Sequence, residues 1–331
     1  MSGKKIPVSI LDLMPVLEGK TPADTYKNSI KLAQTAEKAG FSRYWVAEHH
    51  NMESIASSAP AVLIGHIAGG TSTIRVGSGG VMLPNHAPLV VAEQFGTLAW
   101  LYPGRIDLGL GRAPGTDMGT AHALRRNNNG ANFEQEIAEL RMYLSAENKT
   151  ARVRAIPGEG TNIPIWILGS STDSAVLAAE LGLPYAFAAH FAPALLYQAL
   201  HIYRRNFKPS AQLSAPYVMP CVNVIVADTD AAAQRLATSY YQLVKGIISG
   251  KRRLMQPPVD SIEGLWDEYE EAAVKQMTTY AFIGSAETVQ RGLQDFAHKT
   301  GADELMAASH IYDAGDKIKS CMMLGAMDLS Y

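Results

Sequence analysis

Eight short apolar runs, separated by longer stretches whose apolar residues recur at helical spacing, extend through the whole 331-residue chain. This rhythm restricts the fold more than any other feature. Successive parallel strands need a crossover, usually a helix, so the alternation predicts βαβ units around a parallel sheet. The runs are 6–11, 44–47, 74–82, 106–111, 165–169, 185–190, 217–227 and 304–308. Helical segments are predicted at 22–39, 58–69, 87–100, 133–146, 173–181, 193–206, 230–249 and 286–299. The first is sharply bounded: Thr21 precedes Pro22 as a cap followed by proline at the first helical position, and Gly40 ends it. The reading is an α/β chain, a (β/α)8 TIM barrel in one domain, 1–331. An insertion after strand seven, at about 246–283, carries Lys251-Arg252-Arg253 and Pro257-Pro258.

Composition narrows the function. With 47% hydrophobic and 18% charged residues the chain buries enough surface to fold. A formal net charge of -2, and no cationic run longer than Lys251-Arg252-Arg253, argue against nucleic-acid binding. The charged share lies below the roughly 25% of ordinary soluble domains, which points to surface hidden in an oligomer. Two distant cysteines, Cys221 and Cys321, exclude a disulfide framework. No stretch has the uninterrupted apolar length of a membrane span, and the N-terminal segment reads as a strand rather than a secretory signal. The cytoplasm is the expected compartment. A dinucleotide fingerprint is not present either: in Gly109-Leu110-Gly111-Arg112-Ala113-Pro114-Gly115 the third glycine comes one place late and Pro114 interrupts the helix start.

The remaining signals are polar clusters, each where a predicted strand ends, and in a barrel those ends share the face that carries chemistry. After 44–47 comes Glu48-His49-His50-Asn51. Adjacent residues point to opposite sides, so at most one of His49 and His50 looks into the mouth, and a metal site would need three or four convergent ligands. No metal is expected. Three glycines in four residues, Gly77, Gly79 and Gly80, mark either a bulge or a close approach of ligand or backbone. The fourth run ends at Gly111 and Arg112, a cation suited to a phosphate or carboxylate and equally to a surface ion pair. Leu168-Gly169-Ser170-Ser171-Thr172-Asp173 leads into a helix and describes either an anion site or a plain cap. Phe187 to Pro193 places His190 and an aromatic at the end of strand six.

Taken in order, Tyr44 to Asn51, Val76 to Pro88, Pro103 to Gly115, Trp166 to Ser171 and Phe282 to Glu287 resemble the bacterial luciferase-like flavin-dependent monooxygenases over nearly the whole length, and most closely a functionally obscure branch. The resemblance implies a TIM barrel, usually dimeric, with reduced FMN at the mouth, or deazaflavin F420 in one branch. It further implies a cis Gly79-Gly80 peptide against the flavin, and phosphate contacts at Arg112, Gly169, Ser170 and Ser171. Gly111 and His190 would line the cofactor, and His49 would be the catalytic histidine beside a flavin C4a-oxygen adduct. Where luciferases carry a reactive cysteine, this chain has Gly111. The implied activity is an FMNH2-dependent monooxygenase activating O2 as a flavin C4a-peroxide on a small-molecule substrate, supplied by a separate NAD(P)H:flavin reductase. Alternatives are hydride transfer from F420 and a non-catalytic flavin-binding relative.

Overall fold

The computed structural model describes residues 5–124 and 132–330. The chain runs β1 (Val8–Asp12), α1 (Pro22–Lys38), β2 (Arg43–Val46), α2 (Pro60–Gly69), β3 (Arg75–Met82), α3 (Pro88–Leu101), β4 (Ile106–Gly111), α4 (Met118–Ala123), α5 (Phe133–Leu144), β5 (Ile165–Gly169), α6 (Thr172–Leu181), β6 (Tyr185–Phe187), α7 (Leu196–Asn206), β7 (Val218–Val226), α8 (Asp230–Ile248), α9 (Glu268–Met277), β8 (Ala281–Gly284), α10 (Ala286–Thr300), β9 (Leu305–Ala308) and α11 (Ala314–Gly325). Eight strands, all paired in parallel, close a barrel in the order β1-β2-β3-β4-β5-β6-β7-β9 and back to β1. They correspond to the eight apolar runs of the sequence.

The insertion differs in one respect from the sequence reading. Its end, Phe282-Ile283, forms the ninth strand β8, which pairs with the outer half of β7 from Asn223 to Val226. The inner half of β7 pairs with β6 and β9. One strand therefore belongs to the barrel at its start and to a side ladder at its end. The helix α11, also beyond the sequence reading, packs on α1.

Local chemistry sets the element boundaries. The Thr21 side chain accepts from the Asp24 N–H while the Asp24 carboxylate takes the Thr21 N–H, a reciprocal cap for α1. Helix α10 turns Val289, Leu293, Phe296 and Ala297 inward and leaves polar residues outside, the pattern of a helix covering a sheet. By contrast α2 and α3 leave Val62, Val90, Trp100 and Leu101 exposed.

Inside the barrel, side chains stack in rungs two residues apart, because alternate residues of a strand face the same side. The lowest rung is ionic. The Arg43 guanidinium donates to Glu304 at 3.0 Å and to Asp107 at 2.8 Å, and Arg75 also donates to Asp107. Tyr217 donates to Glu304 at 2.8 Å, and the Ser9 hydroxyl also donates to Glu304. Above it lies an apolar rung of Leu11, Trp45, Trp166, Ala186, Met219 and Met306. The Arg43 guanidinium stacks 4.7 Å below the Trp166 ring, joining the two layers. Both carboxylates are fully buried, and removing Asp107 takes from the half-buried Arg43 and Arg75 guanidiniums a partner they share. Asp107→Ala is expected to cost about 3–5 kcal/mol, read from the urea midpoint; a loss below about 1 kcal/mol would show that these charges do not hold the barrel.

Candidate active site

Two rungs above the ionic layer the barrel opens into a cavity of about 1130 Å³ at the C-terminal ends of the strands. Single small-molecule sites span roughly 300–1,000 Å³, so this space has room for a cofactor and a second molecule. Counting in twos explains its lining. Along β2 the inward series is Arg43, Trp45, Ala47, His49; beyond β5 it is Trp166, Leu168, Ser170; beyond β6, Ala186, Ala188, His190. Every site residue expected from the sequence lines this one cavity: His49, Gly79, Gly80, Gly111, Arg112, Gly169, Ser170, Ser171 and His190.

Of the histidine pair only His49 faces the cavity. His50 turns away to donate to the buried Glu48 carboxylate at 2.8 Å, which also accepts from His86 at 2.9 Å and from the Met82 N–H at 2.9 Å. Burial alone would raise the Glu48 pKa, but these hydrogen bonds hold it below the usual carboxylate range. Glu48 thus fastens the end of β2 to the end of β3 and fixes the backbone that presents His49. Nδ1 of His49 is buried without a hydrogen-bond partner.

The glycines form the wall between β3 and β5. The Gly79-Gly80 peptide is cis and the ladder to β4 shifts register there, so bulge and close approach occur together. A Cβ on Gly80 would lie 2.8 Å from the Gly109 carbonyl, and one on Gly169 would lie 1.9 Å from Ser174 Oγ. A Cβ on Gly111 would meet the Met82 thioether at 2.8 Å, so Met82 fills the space beside the end of β4. Helix α6 opens at Ser171 with no side-chain cap, unlike α1 and α8, so its first N–H groups are open to a ligand. Arg112 stands beside this helix start, 3.6 Å from Asp173.

Among the cavity residues not singled out as site residues from the sequence are His310, Tyr240 and Arg252. His310 completes the inward series Glu304, Met306, Ala308, His310, and counting two residues past the last strand would have found it. Tyr240, from α8, stacks on His310 at 5.3 Å and accepts from Asn223 at 2.6 Å, a tertiary contact without a local signal. Arg252 was noted only as part of a charge run, yet it reaches the cavity. Among the described residues no three His, Cys, Asp or Glu side chains converge as metal ligands, and no helix is long and apolar enough to cross a membrane.

A profile of the luciferase-like monooxygenases matches residues 8–304. An Escherichia coli protein named luciferase-like monooxygenase is 49% identical over 331 aligned residues, covering 99% of this chain and 98% of its own. An uncharacterized Bacillus subtilis protein is 54% identical, covering 95% of this chain and 94% of its own. The crystal structure of apo-MsnO8 superposes with a TM-score of 0.85 at 36% identity, covering 97% of each chain.

The cavity histidines have lost their ordinary basicity. Burial, reinforced by the Arg252 charge, pushes His49 down from near 6.5 to about 4. Burial beside His310 and His49 pushes His190 to about 3, and burial near Lys317 pushes His310 to about 4. Below about pH 6.5 the unfolded chain takes up protons that the folded one refuses, so stability is intact above that pH and falls as the pH drops toward 4. Each histidine contributes up to about 1.4 kcal/mol per pH unit in this window. Urea midpoints measured from pH 7 to 5 are expected to decline, less steeply in His49→Gln, His190→Gln or His310→Gln. Parallel slopes in all variants would show that the folded histidines titrate normally.

Proposed function

The chain belongs to the luciferase-like monooxygenase family, and from that premise we propose that it binds reduced FMN in the barrel mouth and oxygenates a small organic substrate. The observation that carries this reading is the meeting, in one cavity, of a side-chain-free wall at Gly79 and Gly80 with an uncapped helix start at Ser170 and Ser171 beside Arg112. Glycine leaves a flat surface for an aromatic ring system. The helix start, its dipole and the guanidinium suit a phosphate dianion.

Arg112, Gly169, Ser170 and Ser171 would hold the phosphate; Gly79, Gly80, Gly111 and His190 would border the rings. Reduced FMN, when bound, supplies the electrons for activating O2. The protein's own contribution is positional and protic. His49 is neutral at physiological pH, with Nδ1 buried and without a hydrogen-bond partner. A neutral imidazole accepts a proton through one nitrogen and donates through the other, so His49 is the proposed catalytic residue that moves a substrate proton. Leu11, Trp45, Met219 and Met306 floor the cavity and exclude water from the reaction.

The electrons come from a separate NAD(P)H:flavin reductase, since among the described residues the cavity has one helix-start phosphate site and no second such cradle for a dinucleotide. Oxygen uptake is expected with FMN and NADH only when a flavin reductase is added. Hydride transfer from F420H2 without O2 would overturn the FMN reading, and stoichiometric FMN binding without any turnover would favour a non-catalytic flavin binder. Ser170→Asp sets a carboxylate against the phosphate and is expected to weaken FMN about tenfold or more while leaving riboflavin unchanged; equal FMN affinities in a fluorescence titration would put the phosphate elsewhere. The exposed apolar residues of α2 and α3, Val62, Trp100 and Leu101, suit a two-fold homodimer. Light scattering is expected to give twice the 35.7 kDa chain mass, and a monomer at micromolar concentration would exclude this assembly.

A further inference from the structure

The charges lining the cavity are lopsided. A chain with net charge -2 places five cations there, Arg112, Lys245, Lys251, Arg252 and Arg253, against one carboxylate, Glu270. Glu270 pairs with Lys245 at 3.2 Å, and Arg112 stands beside Asp173 at the start of α6. Lys251, Arg252 and Arg253 form no ion pair among the described residues. Like-charged neighbours at one rim repel each other, and a concave apolar site strengthens their field, so the arrangement favours an anion.

The position of these cations separates them from the phosphate site. The segment is clamped at Met255, which is buried and exchanges backbone hydrogen bonds of 2.9 Å with Val16 and Glu18, just past the exit of β1. Arg252 reaches over the loop after β2, with its guanidinium 2.8 Å from the Met52 sulfur, and its charge is felt by His49. Ser170 stands past the exit of β5. Round the eight-stranded barrel the exit of β2 is three strands from that of β5, so a phosphate at Ser170 and an anion at Arg252 occupy separate parts of the rim.

We propose that Arg252, flanked by Lys251 and Arg253, binds an acidic group of the substrate, so that the molecule oxygenated in this cavity is a small organic carboxylate or sulfonate anchored on the rim next to His49. Guanidinium suits this task because its planar donors match such oxyanions in pairs. The inference rests on the flavin reading for the word oxygenated, but the anion site stands or falls by itself.

The test uses full-length protein loaded with FMN and a panel of matched probes: hexanoate, decanoate and phenylacetate, their uncharged amides, and hexanesulfonate. Binding is followed by calorimetry, with FMN affinity measured in parallel by fluorescence. The acids are expected to bind and the amides not, and Arg252→Glu is expected to weaken the acids by about tenfold or more, with Arg252→Gln intermediate and FMN affinity unchanged in both. The proposal is overturned if no acid binds, if amides bind equally well, or if the variants bind acids as the parent does. It is also overturned if the variants lose NADPH rather than the acids, which would assign the rim to a nucleotide. Failure of the parent to bind FMN would remove the flavin reading alone, since acid binding by the FMN-free protein would still report on Arg252.

Discussion

The barrel is organised from the bottom by a charge cluster whose two carboxylates water cannot reach. Asp107 of β4 and Glu304 just before β9 are pulled together by the Arg43 guanidinium, with Arg75, Tyr217 and Ser9 completing their hydrogen bonds. Buried ion pairs of this kind give little net stability but punish misalignment, because a one-residue slip of β2, β3, β4 or β9 would turn a charge into the helical shell. Here the cluster spans β1, β2, β3, β4, β7 and β9 at once. On the strands it joins, the facing of the residues above follows by parity as far as the bulge at Gly79-Gly80, and His49 and His310 reach the mouth as members of the same count.

Fixing the facing does not by itself make a site. The mouth differs from the base in leaving polar atoms unpaired: Nδ1 of His49, His190 and His310 all lack partners. A folded chain meets nearly all its buried hydrogen-bonding needs internally, so three unmatched nitrogens around one cavity describe an interior shaped for something that arrives later. The support behind them is fully matched by comparison. Glu48 uses both oxygens, and the backbone around it is tied to two loops. Rigid backing and unsatisfied faces are the combination that holds a reactive group still until a ligand completes it.

Much of this was legible in the residues. The eight barrel strands could be read because fully buried parallel strands are continuous apolar runs, and Val218–Val226 has no exposed residue. The glycine and serine clusters were readable because each broke the pattern of its own strand end. Other features were hidden for physical reasons. Phe282-Ile283 is too short and too close to its flanking helices to declare itself a strand; it becomes one only by pairing with Asn223 to Val226. Glu48 looked like one polar residue among four, and its role depends on His86 and Met82, more than thirty positions away. Tyr240 reaches the cavity from a helix whose periodicity reports only that it is amphipathic.

The double membership of β7 has a consequence for how such proteins change. The segment between α8 and β8 leaves the scaffold after β7 and is returned to that same strand by the β8 ladder. It crosses the rim of the mouth while no barrel strand depends on its length or wording for closure. Selection can therefore rewrite this stretch, and with it the molecules admitted, without reopening the problem of folding the barrel. Editing this one panel would change the mouth while leaving the base and floor of the barrel as they are.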